Sequence, residues 1–508
     1  MERLLGVETE YAFTAFNPKG APVCRGTTLS RLMRLAQQKL PHLLGKKSKG
    51  MFLANGSRFY VDVGHHPELG TPECSTPWEL VRYVLAGHQI FASLAAQLVD
   101  RYKEIAKAHF FTCNVDYGPA CTTWGYHESY LHKVVPAQLP PQLIPFLVSR
   151  LVFTGAGGFD NHFPGLRFLV SPRVAHLSGT VTPNSTHHRG IFHTKNEPLC
   201  KGYNRLHLLC GESLCSHRAN WLRCGSTALV LALVEGGVHP GEPMALESPL
   251  TAMKTLTGDL TGEERVPLVN GERVTALEIQ RHYLTCVETH GDAPFMPTWS
   301  QEVCREWRAL LDQLESSPAQ LDRVLDWRIK RTLFHRHAER QGFPRQRVGR
   351  WNRFLDNELR NPMLAGPNLL NLIRTRQWNE LLRLLNPALK QHQLDWQELE
   401  AFLLLREQLF EIDVRFGQLG GDGVFDNLAR AGVLQHQVRG VDRIDEAVEN
   451  PPQTTRARLR GQHVRRLSGR KAWGRCEWTH VWDLKRKQVL DLSDPFAHQE
   501  QWKELKEE

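Results

Sequence analysis

The sequence predicts a mixed α/β (α+β) protein, a large α/β domain followed by a small C-terminal one. Three observations carry this. Segments 6–11 (GVETEY) and 58–68 (RFYVDVGHHPE) alternate apolar and polar residues with the period of two that marks a strand. Segments 78–108 and 218–236 read as helices, the first with apolar residues at three- and four-residue spacing, the second apolar enough to be buried. The tail, 473–495, contains CEWTHVWDLKRKQVLDL, which reads as a hairpin.

In chain order, residues 1–75 predict strand, loop, a helix over about 28–44 and the second acidic strand. The helix of 78–108 follows, then a region of strands and loops over 109–210 with Gly155-Ala156-Gly157-Gly158 at its centre. That glycine run lacks the Lys-Ser/Thr of a phosphate loop and reads as a tight turn. Helical stretches follow over 275–316 and 318–340. Residues 341–402, rich in Arg, Asn, Leu and Trp, read as an inserted helical element. A helix begins after Gly420-Gly421-Asp422-Gly423, a short acidic one spans 442–449, and Pro451-Pro452 precedes a helix capped by Thr454 or Thr455. The domains are placed at 1–435 and 436–508.

The 508 residues carry a net charge of +9 and eleven cysteines. No window of about 18 apolar residues exists, so no membrane span is expected. The N-terminus lacks signal-peptide regions. The cysteines lack paired CxxC spacing. Even the densest set, Cys210, Cys215 and Cys224, reads as thiols in a reducing cytoplasm rather than a zinc site. His187 and His188 are a weak metal signal, read as a loop.

The acids carry the functional signal. In a strand, residues i and i+2 share a face, so Glu8 and Glu10 point together, as do Tyr60 and Asp62. Laid side by side, these strands present three carboxylates and a phenol to one point, with Glu68 arriving just after. Such a cluster repels itself unless a cation neutralises it, and hard oxygen ligands suit Mg2+, which usually also holds substrate phosphates. His65 and His66 lie between Asp62 and Glu68, and His66-Pro67 shapes the turn that delivers Glu68. His127 and Glu128 read as site-lining or core. Arg205 and His207 share a strand face, with Arg205 a candidate contact for a phosphate or a substrate carboxylate. Lys330 and Arg331 read either as a solvated helix face or as part of a groove for an acidic partner. Arg456, Arg458, Arg460, Arg465, Arg466 and Arg470 form the strongest basic cluster. No nucleic-acid motif accompanies it, and no nucleic-acid partner is expected.

The segments GVETEY (6–11), FLANGSRFYVDVGHHPELGTPE (52–73), GYHESYL (125–131), PFLVSRLVFTGAG (145–157), YNRLHLLCGES (203–213), GSTALVLALVEGG (225–237), DWRIKRTLFHR (326–336), ENPPQTTRARLRG (449–461) and EWTHVWDL (477–484) run over nearly the whole chain. They resemble the ligases and deamidases of the prokaryotic ubiquitin-like protein, Pup, which are similar to glutamine synthetase and the carboxylate-amine ligases. The resemblance implies a glutamine-synthetase-like curved antiparallel sheet backed by helices. It implies Mg2+ on Glu8, Tyr60 and Glu68, a catalytic Asp62, and ATP contacts from Arg58, Thr71 and the C-terminal Trp478. Glu10 joins the metal set on its strand position, and Arg205 the ATP contacts. The basic cluster would then meet an acidic protein tail, since Pup-type modifiers are acidic and largely disordered before binding.

The deamidase branch carries a long extra segment between the two acidic strands. Here Glu8 and Asp62 lie 54 positions apart (62 minus 8), near the ligase spacing, and PPQTTRARLRG looks ligase-like too. The resemblance therefore implies an ATP-dependent ligase. It would join the C-terminal Glu side chain of a Pup-like modifier to target lysines through an acyl phosphate and so mark proteins for proteasomal degradation. The alternatives are a deamidase or depupylase and a non-catalytic binding homologue; the retained acids argue against the last. Three segments depart from the family pattern: Thr112-Cys113-Asn114, His193–Leu199 and Leu214. They are expected to line the substrate groove and to suit a divergent modifier.

Overall fold

The computed structural model describes residues 3–47, 49–184, 188–360, 367–469 and 473–505. Its centre is a nine-stranded sheet. The strand order is Gly179–Thr182, Gly190–His193, Asn204–Gly211, Tyr126–His132, Leu5–Glu10, Pro67–Gly70, Arg58–Val61, Met51–Leu53, His42–Leu44. Neighbours are antiparallel except for the first pair, which is parallel. The sheet is antiparallel, as the resemblance implies, except for this edge pair, which makes it mixed.

Alternation sets the two faces. Along Leu5–Glu10 and Tyr126–His132 every second residue is buried, so Leu5, Val7, Tyr126 and Tyr130 point into the core and Glu8, Glu10 and His127 point away from it. The core beneath is built from helices Pro77–Arg101, Leu139–Ser149, His217–Glu235, Ala276–Thr289 and Ser300–Ser316. His217–Glu235 is buried continuously from Ala219 to Val234, as its composition predicts. Glu128 belongs to this side. It is fully buried against Arg150, whose Nη2 donates to its Oε1 at 2.6 Å.

Several boundaries differ from the sequence expectation. The helix expected over 28–44 is Arg25–Lys39, and His42–Leu44 has joined the sheet edge. The helix of 78–108 stops at Arg101, leaving Lys107–Phe111 to pair with Ala12–Phe16. The stretch 275–316 is two helices. The second acidic segment is not one strand either. It breaks at 62–66, where His65 adopts a left-handed φ of 62°, and its second half, Pro67–Gly70, lies between Arg58–Val61 and Leu5–Glu10. At Gly157 (φ 66°) an added Cβ would stand 2.5 Å from the Trp327 Cα, so the glycine run is a close-packed turn.

Helices Arg345–Leu359, Pro367–Arg374, Trp378–Gln391 and Trp396–Phe416 surround a satellite core containing Trp351, Leu355, Leu381, Leu399 and Phe402. Lys330 fastens the last of these helices. Its Nζ lies 2.7 Å from Asp413 Oδ1 and donates to the Gly157 carbonyl at 3.0 Å, in full burial. Neither reading of Lys330 from the sequence holds, because the ammonium is consumed inside the fold. Arg331 is half-buried and donates to the Leu260 carbonyl.

The C-terminal helix Ala457–Leu467 and the sheet Gly474–Glu477, His480–Asp483, Gln488–Asp491, Trp502–Glu504 pack on Leu43, Phe52 and Ala54 at the edge of the large sheet. Among the described residues the members of the basic cluster make this joint, Arg456 and Arg460 buried and Arg465 and Arg466 exposed but hydrogen-bonded. Arg456 Nε and Arg460 Nη2 donate to the two oxygens of Glu73 at 2.6 and 2.5 Å, Arg458 to the His498 carbonyl, Arg465 to the Glu449 carbonyl and Arg466 to Asp483. Arg470 and His187 lie outside the described residues. All eleven cysteines are free thiols. No helix among the described residues is long and apolar enough to cross a membrane.

Candidate active site

Sheet register brings the acids together. Glu10 pairs with Glu68, Glu68 with Tyr60, and Gly70 lies between Glu8 and Arg58. All point to the face away from the helical core, and Asp62 follows Tyr60 at the start of the turn. The expected convergence of Glu8, Glu10, Tyr60, Asp62 and Glu68 is present, with the Pro67–Gly70 strand interposed.

Hydrogen bonds within the turn fasten Asp62. The His66 backbone N–H donates to its Oδ1 at 2.5 Å, the His66 Nδ1 lies 3.0 Å from its Oδ2, and Arg25 donates to the carbonyls of Gly64 and His65. Burial raises the Asp62 carboxyl, but the His66 hydrogen bonds outweigh burial and hold it below its ordinary value.

Histidines complete the face. His127, opposite Glu8 in the register, places Nδ1 3.5 Å from Glu8 and Nε2 3.6 Å from Glu10. His207 sits beyond it, its Nδ1 3.2 Å from Ser129 Oγ, and Arg205 approaches Glu8 to 3.9 Å. Among the described residues two sets could hold a metal, Glu8–His127–His207 and Glu10–Asp62–His66. The two sets stand side by side on one sheet face. Sequence reasoning missed His207 as a partner of Glu8; the only signal was its two-residue spacing from Arg205.

The charges do not balance. Burial raises the Glu8 carboxyl, but the His127 hydrogen bond and the charges of His207 and Arg205 outweigh it, and the group ionises well below the ordinary range. Glu68 goes the other way. Burial first, then the carboxylates of Glu8 and Glu10, push it well above its ordinary value. Burial and the charges of Glu8 and Glu68 likewise raise the Tyr60 phenol. A cation seated among these oxygens relieves that repulsion, so the donor set fits Mg2+.

Beside the acids lies a cradle lined by Gly6, Glu8, Thr71, Ser129, Arg205 and Trp478, and also by Pro198, Leu199 and Pro495. Thr71 Oγ1 accepts from the Val7 N–H at 3.0 Å, tying two strands beneath it. Trp478 approaches over Gly70, stacks edge-on against Phe52 and carries the Arg460 guanidinium 4.8 Å from its ring centre. Arg58 lies 4.4 Å over the Tyr60 ring. The Nε atoms of Arg58 and of Arg205 are both buried without a hydrogen-bond partner, two donors available to an anion.

A far larger groove, about 1720 Å³, opens at Gly64, His65 and His66. It runs past Phe13, Lys107 and Phe111 to Phe410, Glu411 and Arg415 on helix Trp396–Phe416. Cys113 lines it, whereas Leu199 lines the smaller cradle and Leu214 is buried in the main core.

A family model described as Pup-ligase protein matches residues 3–349 and 345–482. Curated relatives include the Pup--protein ligases of Sanguibacter keddieii, 30% identical over 97% of this chain and 96% of that one, and of Mycobacterium ulcerans, 31% identical with the same coverage. A crystal structure of the complex between Pup and its ligase PafA superposes with a TM-score of 0.73 at 25% identity, covering 98% of this chain and 90% of that one. A structure of PafA in complex with ADP shares the fold, with a TM-score of 0.66 at 23% identity, covering 93% and 91%. With a glutamine-synthetase-like sheet and matches along almost the whole sequence, the chain belongs to the Pup-ligase family.

Proposed function

We propose that the chain is an ATP- and Mg2+-dependent ligase that joins the C-terminal Glu side-chain carboxylate of Pup, or a Pup-like modifier, to lysines of target proteins. The observation that carries this reading is the acid face of the sheet, with an anion-ready cradle on one side and a protein-sized groove on the other.

A carboxylate does not condense with an amine at useful rates in water, so it is first activated by phosphoryl transfer, giving an acyl phosphate and ADP. Phosphoryl transfer is mostly positioning and charge neutralisation. Arg58 and Arg205 direct their free Nε donors at phosphate oxygens, and Trp478 bounds the nucleotide. Glu8, Glu10, Tyr60 and Glu68 would hold the metal, with His127 and His207 beside Glu8 as further candidate ligands, and Mg2+ held there would neutralise the phosphate charge.

In the second half-reaction the lysine amine attacks the acyl carbon and inorganic phosphate leaves, which needs a deprotonated lysine, whose ordinary pKa is about 10.4. Asp62 stands where the groove meets the acid face and takes a proton from the incoming ammonium, held for this by His66 and the turn. The groove receives the modifier, its Arg25, Lys107, Arg189 and Arg415 meeting acidic side chains. The C-terminal unit from 436 onward closes the nucleotide side, and the 341–402 helices support the far groove wall.

The test is ATP turnover and product mass with purified protein, Mg2+, a modifier ending in Glu and a lysine-bearing acceptor. ADP matched by a conjugate of modifier plus acceptor minus one water is expected. Hydrolysis of a modifier ending in Gln, or of its isopeptide conjugate, without stoichiometric ATP consumption overturns the ligase reading in favour of a deamidase.

A further inference from the structure

We propose that Leu199, on the strap between Gly190–His193 and Asn204–Gly211, is a nucleotide-contact residue that clamps the base against Trp478 and so sets the affinity for ATP. The inference rests on the ligase reading of the cradle and adds to it a residue at a position where this chain departs from the family pattern.

The strap leaves the large sheet at His193, crosses to the C-terminal unit and returns at Asn204. Four hydrogen bonds pin its course. The Lys201 N–H donates to the Ser493 carbonyl at 3.3 Å, Arg456 Nη1 to the Leu199 carbonyl at 2.8 Å, Asn196 Nδ2 to Asn204 Oδ1 at 2.8 Å, and the Arg205 N–H to Asn196 Oδ1 at 2.8 Å. The same Arg456 nitrogen also donates to the Leu492 carbonyl, and its Nε to Glu73. One buried guanidinium therefore fixes the strap, the C-terminal sheet and the segment that follows Thr71.

Leu199 is held in an unfavourable state by these bonds. Its φ is 50°, the left-handed region that a branched side chain rarely adopts. The residue is also 41% exposed, and it lines the cradle together with Pro198, Trp478 and Pro495. A strained backbone that leaves an apolar side chain in water gains nothing from the fold alone. A planar ring inserted between Leu199 and the indole buries both. The opening is about 110 Å³, room for a ring system rather than a whole nucleotide, so the base occupies it and the phosphates extend over Gly6 and Glu8 toward Arg205 and Arg58. Near Leu199 the polar side chains of Thr71 and Glu73 are already engaged, Thr71 by Val7 and Glu73 by Arg456 and Arg460, and the free Arg205 Nε is kept for phosphate, which leaves apolar contact as what Leu199 and Trp478 offer the base.

The test uses Leu199→Gly and Leu199→Met in the full chain. Glycine accepts the left-handed backbone without strain, so the fold is kept while the side chain is lost; methionine keeps an apolar side chain. Equilibrium binding of a fluorescent ADP analogue, read without turnover, is expected to weaken by about tenfold in the glycine variant and by less than about threefold in the methionine variant. The KM for ATP should rise in parallel while the KM for the modifier stays unchanged. Unaltered ADP affinity in Leu199→Gly, with the melting temperature of the nucleotide-free protein at or above wild type, overturns the clamp. Absence of ADP binding by the wild-type chain itself overturns the ligase reading instead.

Discussion

The acid face and the C-terminal basic helix are both dense in charge, and the fold treats them in opposite ways. Arg456 and Arg460 are buried with Glu73 between them, and the two guanidinium groups hold that carboxyl down at about 2. Glu8, Glu10, Glu68 and Asp62 have histidines (His127, His207 and His66) and the more distant Arg205 and Arg25 for company, none matched atom for atom, and Glu68 is pushed up rather than down. The difference separates structural charge from functional charge. A pair matched atom for atom fastens two parts of the chain, whereas an excess left at one point is a place prepared for something not yet bound.

The sharpest way to break the comparison is Asp62→Asn. If the acid face is catalytic, conjugation falls by about 10²–10⁴-fold, while binding of a fluorescent ADP analogue and the melting temperature stay near wild type. Glu73→Ala should do the reverse in kind. Leaving Arg456 and Arg460 buried and unpaired costs about 3–5 kcal/mol of stability, measured by denaturant unfolding.

Acid titration sharpens the same point. The Glu73 carboxyl ionises at about 2 in the folded chain against an ordinary 4.5. A lowered carboxyl stabilises fully above its unfolded value, and that contribution is lost as the pH falls from about 4.5 toward 2. It amounts to about 3 kcal/mol, and Glu73→Gln should abolish that part of the pH dependence. Mg2+ should raise the melting temperature of the wild type by a few degrees through preferential binding to the folded state; Glu68→Gln should lose most of that rise. The smallest effect belongs to Arg465→Ala, an exposed member of the basic cluster. Its loss should cost less than about 1 kcal/mol and leave ADP binding and conjugation unchanged. A strong effect on either would show that the basic helix does more than join.

Much of this was legible in the chain. Period-two spacing put Glu8 with Glu10 and Tyr60 with Asp62, and the His66-Pro67 step announced the turn that brings Glu68 round. The helix near 78–108 is visible from its apolar periodicity and that of 218–236 from its long apolar run, both strong local signals. Other features depended on register between distant strands. His127 and His207 reach Glu8 only because Tyr126–His132 pairs with Leu5–Glu10 on one side and Asn204–Gly211 on the other, and no local pattern encodes that. Lys330 reads from the sequence as solvated or groove-lining because its partner, Asp413, is 83 positions away (413 minus 330). The arginines after Pro452 looked like a binding stripe for the same reason, their neutralising Glu73 lying almost four hundred residues upstream.

One short stretch concentrates several of these duties. Between 68 and 73 the chain supplies Glu68 to the acid cluster, Gly70 beneath Trp478, the Thr71 tie to Val7 and the Glu73 anchor for the C-terminal helix. Because alternate residues face opposite ways, inserting or deleting one residue here would move each group to the wrong side of the sheet. These six positions behave as a ruler of fixed length. Chimeras between this chain and its relatives should place their crossovers elsewhere, in the turns whose length the sheet does not count.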